Sequence, residues 1–200
     1  MSKLALNAPN IISLSRIPVL FVIVGLLYIP IRGSATGALI LFVIGAATDW
    51  LDGYIARRYN SVSNFGKMID ALTDKIYVIG LFVGLLALGL LPKWSLFLIL
   101  LIIGREFVVT GLRLVAASKG MVLAAERTGK VKTFSQMVTI GAYLFGNVML
   151  VDFPASVHYW MRPVGWSIGC GFFLIATYLT VRSGVSYVVK YWDVFTSEEN

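Results

Sequence analysis

With 200 residues, 58% of them hydrophobic and only 14% charged, the chain has too little polar surface for a soluble domain of its size. Cys170 is the single cysteine and His158 the single histidine, which excludes an internal disulfide and a Cys/His zinc cage. The net charge of +7 sits in the connections between apolar runs, so it reads as a topology signal with some attraction for anionic lipid, and nucleic acid is not indicated.

Roughly 20 apolar residues in a helix cross a bilayer core. Six runs of this kind follow one another, at residues 11–31, 35–56, 66–90, 95–117, 133–151 and 159–189. The first is too long, and too poor in small residues at its end, for a removable signal peptide. The last is long enough to tilt or to project beyond the membrane. The expected fold is therefore an all-α integral membrane protein with six transmembrane helices, forming a single domain over residues 1–200.

The connections at 30–34, 91–93 and 151–154 are short, whereas those at 57–65 and 118–132 are longer and more polar. Lys3, Arg57, Arg58, Lys67, Lys119, Arg127, Lys130, Lys132 and Lys190 fall on one side of a six-span topology, against Arg32, Lys93 and Arg162 on the other. Basic residues are retained in the cytoplasm, so both termini and the two polar connections are expected there. Asn10, after Pro9, reads as a cap of the first helix. Gly80-x-x-x-Gly84 and Gly165-x-x-x-Gly169 permit close helix contact, within a subunit or between subunits. Trp50, Trp94, Trp160 and Trp192 lie near span ends, as interfacial anchors do.

Four of the six aspartates lie between positions 49 and 74. The pattern is Asp49-x-x-Asp52-Gly53-x-x-Ala56-Arg57, then Gly66-x-x-x-Asp70-x-x-x-Asp74. Residues three, four and seven apart share a helix face, so the two groups form stripes at the facing ends of the second and third helices. Carboxylates gathered at a membrane boundary repel one another and are costly to desolvate. Arg57, Arg58, Lys67 and Lys75 offer counter-charge, but they do not explain why small residues share the stripes. Divalent metal explains more, because hard ions such as Mg²⁺ take carboxylate oxygens together with substrate phosphates. Paired metals can hold both the attacking and the leaving oxygen of a phosphoryl displacement.

This arrangement of four aspartates, two glycines and Ala-Arg resembles the signature of the CDP-alcohol phosphatidyltransferase family. The resemblance implies a homodimer with a cytoplasm-facing polar cavity that holds two divalent cations, Mg²⁺ or Mn²⁺. It implies that Asp49, Asp52, Asp70 and Asp74 are metal ligands and that Asp74 is also the catalytic base. CDP-diacylglycerol would meet Asp52, Gly53, Ala56, Arg57 and Gly66, with Gly53 and Ala56 making room for the cytidine and Arg57 meeting the diphosphate.

A second polar group runs through Arg105-Glu106, Thr110, Arg113, Lys130, Lys132 and Gln136. Glu106 either pairs with Arg105 or Arg113 to hold helices together, or sits among cations that serve a substrate. The basic residues outnumber it, and Arg105, Arg113, Lys130 and Lys132 suit an acceptor that carries its own phosphate. This stretch, with Asn7–Asn10, Arg16-Ile17 and Asn64–Lys67, resembles the branch of the family whose acceptor is sn-glycerol 3-phosphate. That branch makes phosphatidylglycerophosphate and CMP. Ala71, Thr73 and Ser13 depart from its usual Pro, Ala and Thr. The same chemistry with inositol phosphate or phosphatidylglycerol as acceptor is the alternative. A divalent-cation transporter is more remote, because the third run is nearly all apolar beyond Lys75 and offers no through-path.

Overall fold

The computed structural model describes residues 8–29, 31–59, 64–118, 120–121 and 128–192. For residues 8–10, 12, 49–59, 64–65, 67, 128–130, 155, 157–158 and 162 it describes the backbone alone. Six helices follow in order: α1 Ala8–Tyr28, α2 Ser34–Tyr59, α3 Asn64–Ala87, α4 Ser95–Ser118, α5 Thr128–Val151 and α6 Ala155–Lys190. The fold is all-α, as expected for a membrane protein. Among the described residues three segments are long and apolar enough to cross a bilayer: Ser95–Ser118, Val131–Val151 and Tyr159–Lys190. Shorter apolar helical stretches, Ser13–Tyr28 in α1 and Ser34–Thr48 in α2, are also found among the described residues.

Helix boundaries depart from the hydropathy runs where polar residues cap an apolar stretch. α5 begins at Thr128, so Lys130 and Lys132 stand on a helix and not in a connection. α1 begins at Ala8, which puts Asn10 inside the first turn and removes it from the capping position. α3 runs unbroken through Ala71 and Thr73. The Thr73 hydroxyl turns back to the carbonyls of Ile69 and Asp70, at 2.9 and 3.1 Å, so this polar residue satisfies itself within its own helix.

α1 lies against both α2 and α3, α5 pairs with α6 and α2, and α4 rests on α6 and α3. Ile23, Leu81, Phe82, Leu85, Ile99, Ile140, Leu144 and Phe173 form the common core. Both glycine pairs are used inside the chain. A Cβ on Gly80 or Gly84 would come within 2.5 Å of Leu20 or 2.9 Å of Val24 on α1. A Cβ on Gly169 would come within 2.9 Å of the Tyr143 ring on α5. Small residues thus let the helices approach where packing, not water, drives association.

At the end of the bundle away from the aspartates, one carboxylate fastens two connections. Asp152, between α5 and α6, accepts hydrogen bonds from the Gly33 N–H, the Thr36 N–H and the Thr36 hydroxyl, at 2.7, 2.7 and 2.6 Å. It serves as a tertiary cap for the first turn of α2, whose N–H groups have no partner within the helix. Burial acts to raise the Asp152 pKa, but the hydrogen bonds from Thr36 and Gly33 outweigh it and hold it below the ordinary aspartate value.

Candidate active site

The stripe of α3 opens toward α1. The carboxylate of Asp70 accepts a hydrogen bond from the Ser13 hydroxyl at 3.0 Å. Arg16, one turn further along α1 and only 3% exposed, sets its guanidinium 3.6 Å from Asp70 and 3.9 Å from Asp74. The side chain of Asp70 nevertheless remains 57% exposed and that of Asp74 34%. A buried cation therefore balances two carboxylates whose side chains stay at least partly exposed.

The backbone brings the second stripe to the same level. The rings of Phe42 on α2 and Tyr77 on α3 stack with centroids 6.5 Å apart. A Cβ on Gly45 would lie 2.8 Å from the Tyr77 hydroxyl, so glycine leaves room for that side chain against α2. Asp49 lies one turn beyond Gly45 on α2, and Asp74 one turn before Tyr77 on the antiparallel α3. Asp49, Asp52, Gly53, Ala56 and Arg57 all lie on α2, and their side chains are outside the described residues. Gly66 lies in the first turn of α3.

Asp70 and Asp74 suit a divalent ion by donor chemistry: hard carboxylate oxygens one helical turn apart, those of Asp70 exposed and those of Asp74 partly so. Among the described residues no three metal-ligating side chains converge, and Asp49 and Asp52 were not among the side chains compared.

Beside this stripe stands a buried charge cluster that joins four helices. Glu106 on α4 receives the ammonium of Lys132 from α5, the guanidinium of Arg105 at 3.1 Å and the ammonium of Lys75 from α3 at 3.7 Å. Lys75 also donates to the Thr110 hydroxyl, which in turn donates to the Glu106 carbonyl at 2.6 Å. Arg105 reaches α6 through Ser183 at 3.0 Å. Gly184 makes that reach possible, because a Cβ there would lie 2.6 Å from Arg105 Cγ.

One carboxylate thus faces three cations, and the Arg105 Nε is buried without a hydrogen-bond partner. Such surplus charge inside a span is costly unless an anion completes it. Lys75 follows Asp74 directly on α3, so the cluster adjoins the aspartate stripe.

Of the residues expected to meet an acceptor phosphate, Arg105 and Lys132 converge here. Arg113 stands apart and exposed; its Nε is 3.3 Å from the Tyr187 hydroxyl, and its guanidinium lies over that ring. The Lys130 side chain is outside the described residues. Arg105 and Glu106 are neighbours on α4, so their pair joins no helices; Lys75 and Lys132 are what tie Glu106 to α3 and α5. Sequence reasoning did not assign Arg16, Ser183 or Gly184 to the site, and it took Lys75 as counter-charge to the aspartates. A charge such as Arg16 inside an apolar run was the signal available.

An all-helical bundle with long apolar helices, and with carboxylates and a cationic cluster gathered at one end, defines an integral membrane protein. The sequence pattern of the CDP-alcohol phosphatidyltransferase family matches residues 6–179, and the chain belongs to that family. It is 40% identical to a CDP-diacylglycerol--glycerol-3-phosphate 3-phosphatidyltransferase of Bacillus subtilis (strain 168), over 94% of this chain and 96% of that protein. Relatives with the same description in Rickettsia typhi and Pseudomonas fluorescens are 36% and 33% identical. They cover 90% and 94% of this chain, and 94% and 91% of their own lengths.

Proposed function

We propose that this enzyme transfers the phosphatidyl group of CDP-diacylglycerol to sn-glycerol 3-phosphate, releasing phosphatidylglycerophosphate and CMP. The observation that carries the acceptor is the cluster of Lys75, Arg105 and Lys132 around the single carboxylate of Glu106. After each pairs with Glu106, Lys and Arg retain N–H donors for a phosphate. Lys130 and Arg113 would add positive charge toward the cytoplasm. The relatives' descriptions name the same acceptor.

In this reading Asp52, Gly53, Ala56, Arg57 and Gly66 receive the donor. Asp49, Asp52, Asp70 and Asp74 would hold two divalent cations, Mg²⁺ or Mn²⁺, which supply charge neutralisation at the donor diphosphate and at the departing CMP. Arg16 holds Asp70 and Asp74 in place. Asp74 takes the proton from the acceptor hydroxyl as its oxygen attacks the phosphorus that bears the diacylglycerol, and CMP leaves. The cationic cluster anchors the remote phosphate and so orients that hydroxyl. The chain would cross the membrane six times as a homodimer, with termini and reaction centre in the cytoplasm. Its glycine pairs are already filled, so the dimer would form on another face.

The test is an assay of the purified protein with CDP-diacylglycerol, Mg²⁺ and a panel of glycerol 3-phosphate, glycerol, inositol phosphate and phosphatidylglycerol. Phosphatidylglycerophosphate and CMP in equal amounts are expected, with the other acceptors far slower. A different lipid product would reject the acceptor, and absence of CMP with every acceptor would reject the reaction.

A further inference from the structure

Arg105 is held from two helices. It precedes Glu106 on α4, and successive side chains leave a helix about 100° apart, so Arg105 faces α6 while Glu106 meets α3 and α5. One terminal nitrogen of the guanidinium turns back to Glu106 at 3.1 Å, and the other donates to the Ser183 hydroxyl at 3.0 Å. Ser183 is 4% exposed, and its own proton goes to the Thr180 carbonyl at 3.0 Å. That bond commits the hydroxyl's hydrogen within α6, so toward Arg105 the oxygen only accepts. The stem of the arginine is constrained as well as its tip. A Cβ on Gly184 would lie 2.6 Å from Arg105 Cγ and 3.7 Å from its Cβ, so the side chain crosses α6 where any added carbon would displace it.

An arginine beside a carboxylate frequently closes on it with both arms, which would spend its charge inside the protein. Here a single arm of Arg105 reaches Glu106, whose carboxylate also takes Lys132 and Lys75. Each terminal nitrogen carries two hydrogens and uses one, which leaves donors on the same guanidinium for a phosphate. One turn further on the same face of α6, the Tyr187 hydroxyl and ring engage Arg113, the other arginine expected at the acceptor. We propose that Ser183 and Gly184 are positioning residues that hold Arg105 off a two-armed pair with Glu106 and so set the preference for a phosphorylated acceptor. Neither touches the acceptor; both act through Arg105.

This rests on glycerol 3-phosphate being the acceptor and gives α6 a part in selecting it. The test compares kcat/KM for glycerol 3-phosphate and for glycerol, using the whole purified protein in mixed micelles with CDP-diacylglycerol. Ser183→Ala should lower the ratio of the two about tenfold, the low end for a hydrogen bond from a charged group. KM for CDP-diacylglycerol should not move. Gly184→Ala, which displaces the stem of Arg105, should shift the ratio in the same direction. In an Arg105→Ala background, Ser183→Ala should change the ratio by less than about twofold, because its route to the acceptor is gone. A wild-type preference that Ser183→Ala leaves intact, both acceptors slowed alike, or the full loss in the Arg105→Ala background would each overturn the positioning role. A wild type that uses glycerol as well as its phosphate would instead reject the acceptor itself, and the positioning role with it.

Discussion

The two ends of the bundle use carboxylates in opposite ways. Asp152 is fastened by backbone N–H groups and a hydroxyl that belong to fixed turns, so its charge is consumed by the fold. Asp70 and Asp74 share the tip of one arginine and keep partly exposed side chains, and Glu106 is surrounded by more cations than it can neutralise. Satisfaction by rigid donors stabilises a structure; an imbalance held between side chains leaves room for a substrate to complete it. In the proposed function, chemistry belongs to the second end.

The contrast breaks most visibly at Asp74. Replacing it with Asn preserves shape and removes the proton acceptor, so turnover should fall roughly 10²–10⁴-fold while the melting temperature stays near wild type. Near-normal turnover would remove Asp74 from the role of base. Lys132→Ala comes next, with an expected loss of roughly 10–150-fold in kcat/KM for the acceptor, the value of one charge-assisted hydrogen bond. KM for CDP-diacylglycerol should stay nearly constant. Arg113→Ala should have the smaller effect of the two, because its guanidinium is exposed and already engaged by Tyr187.

At the opposite end the readout should be stability alone. Asp152→Ala removes a cap and should cost about 1 kcal/mol, seen as a melting temperature lower by a few degrees with turnover per folded molecule unchanged. The pH dependence sharpens this further. The folded Asp152 pKa is depressed, so its stabilisation is present above the ordinary aspartate pKa and is lost as pH falls through the lower folded value. Wild type should therefore lose more melting temperature than Asp152→Asn below about pH 4. Identical slopes would mean that the clasp carries no charge-dependent stability.

Much of this arrangement is legible in the sequence, and the illegible part has a physical reason. The six helices follow from the thickness of a bilayer, and the aspartate stripes follow from helical spacing within single elements. Hydropathy hid the start of α5, because Thr128–Lys132 is polar even though it is helical. Lys75 illustrates a deeper limit: its neighbours in sequence are carboxylates, yet its partners are Thr110 and Glu106 on α4. Periodicity reports which face of a helix a residue occupies, and only tertiary packing says what that face meets. Gly184 belongs to no glycine repeat in α6, and its meaning appears only when the Arg105 side chain lies across it.

The central claim is that the charge surplus around Glu106 exists to bind the acceptor's phosphate. The ratio of kcat/KM for glycerol 3-phosphate to that for glycerol, compared between wild type and Lys132→Ala, tests this most directly. A strong preference in wild type that shrinks at least about tenfold in the variant, with the rate on glycerol little changed, is the predicted result. An unchanged ratio, with both acceptors slowed alike, would contradict it and leave the cluster as a device for holding helices together.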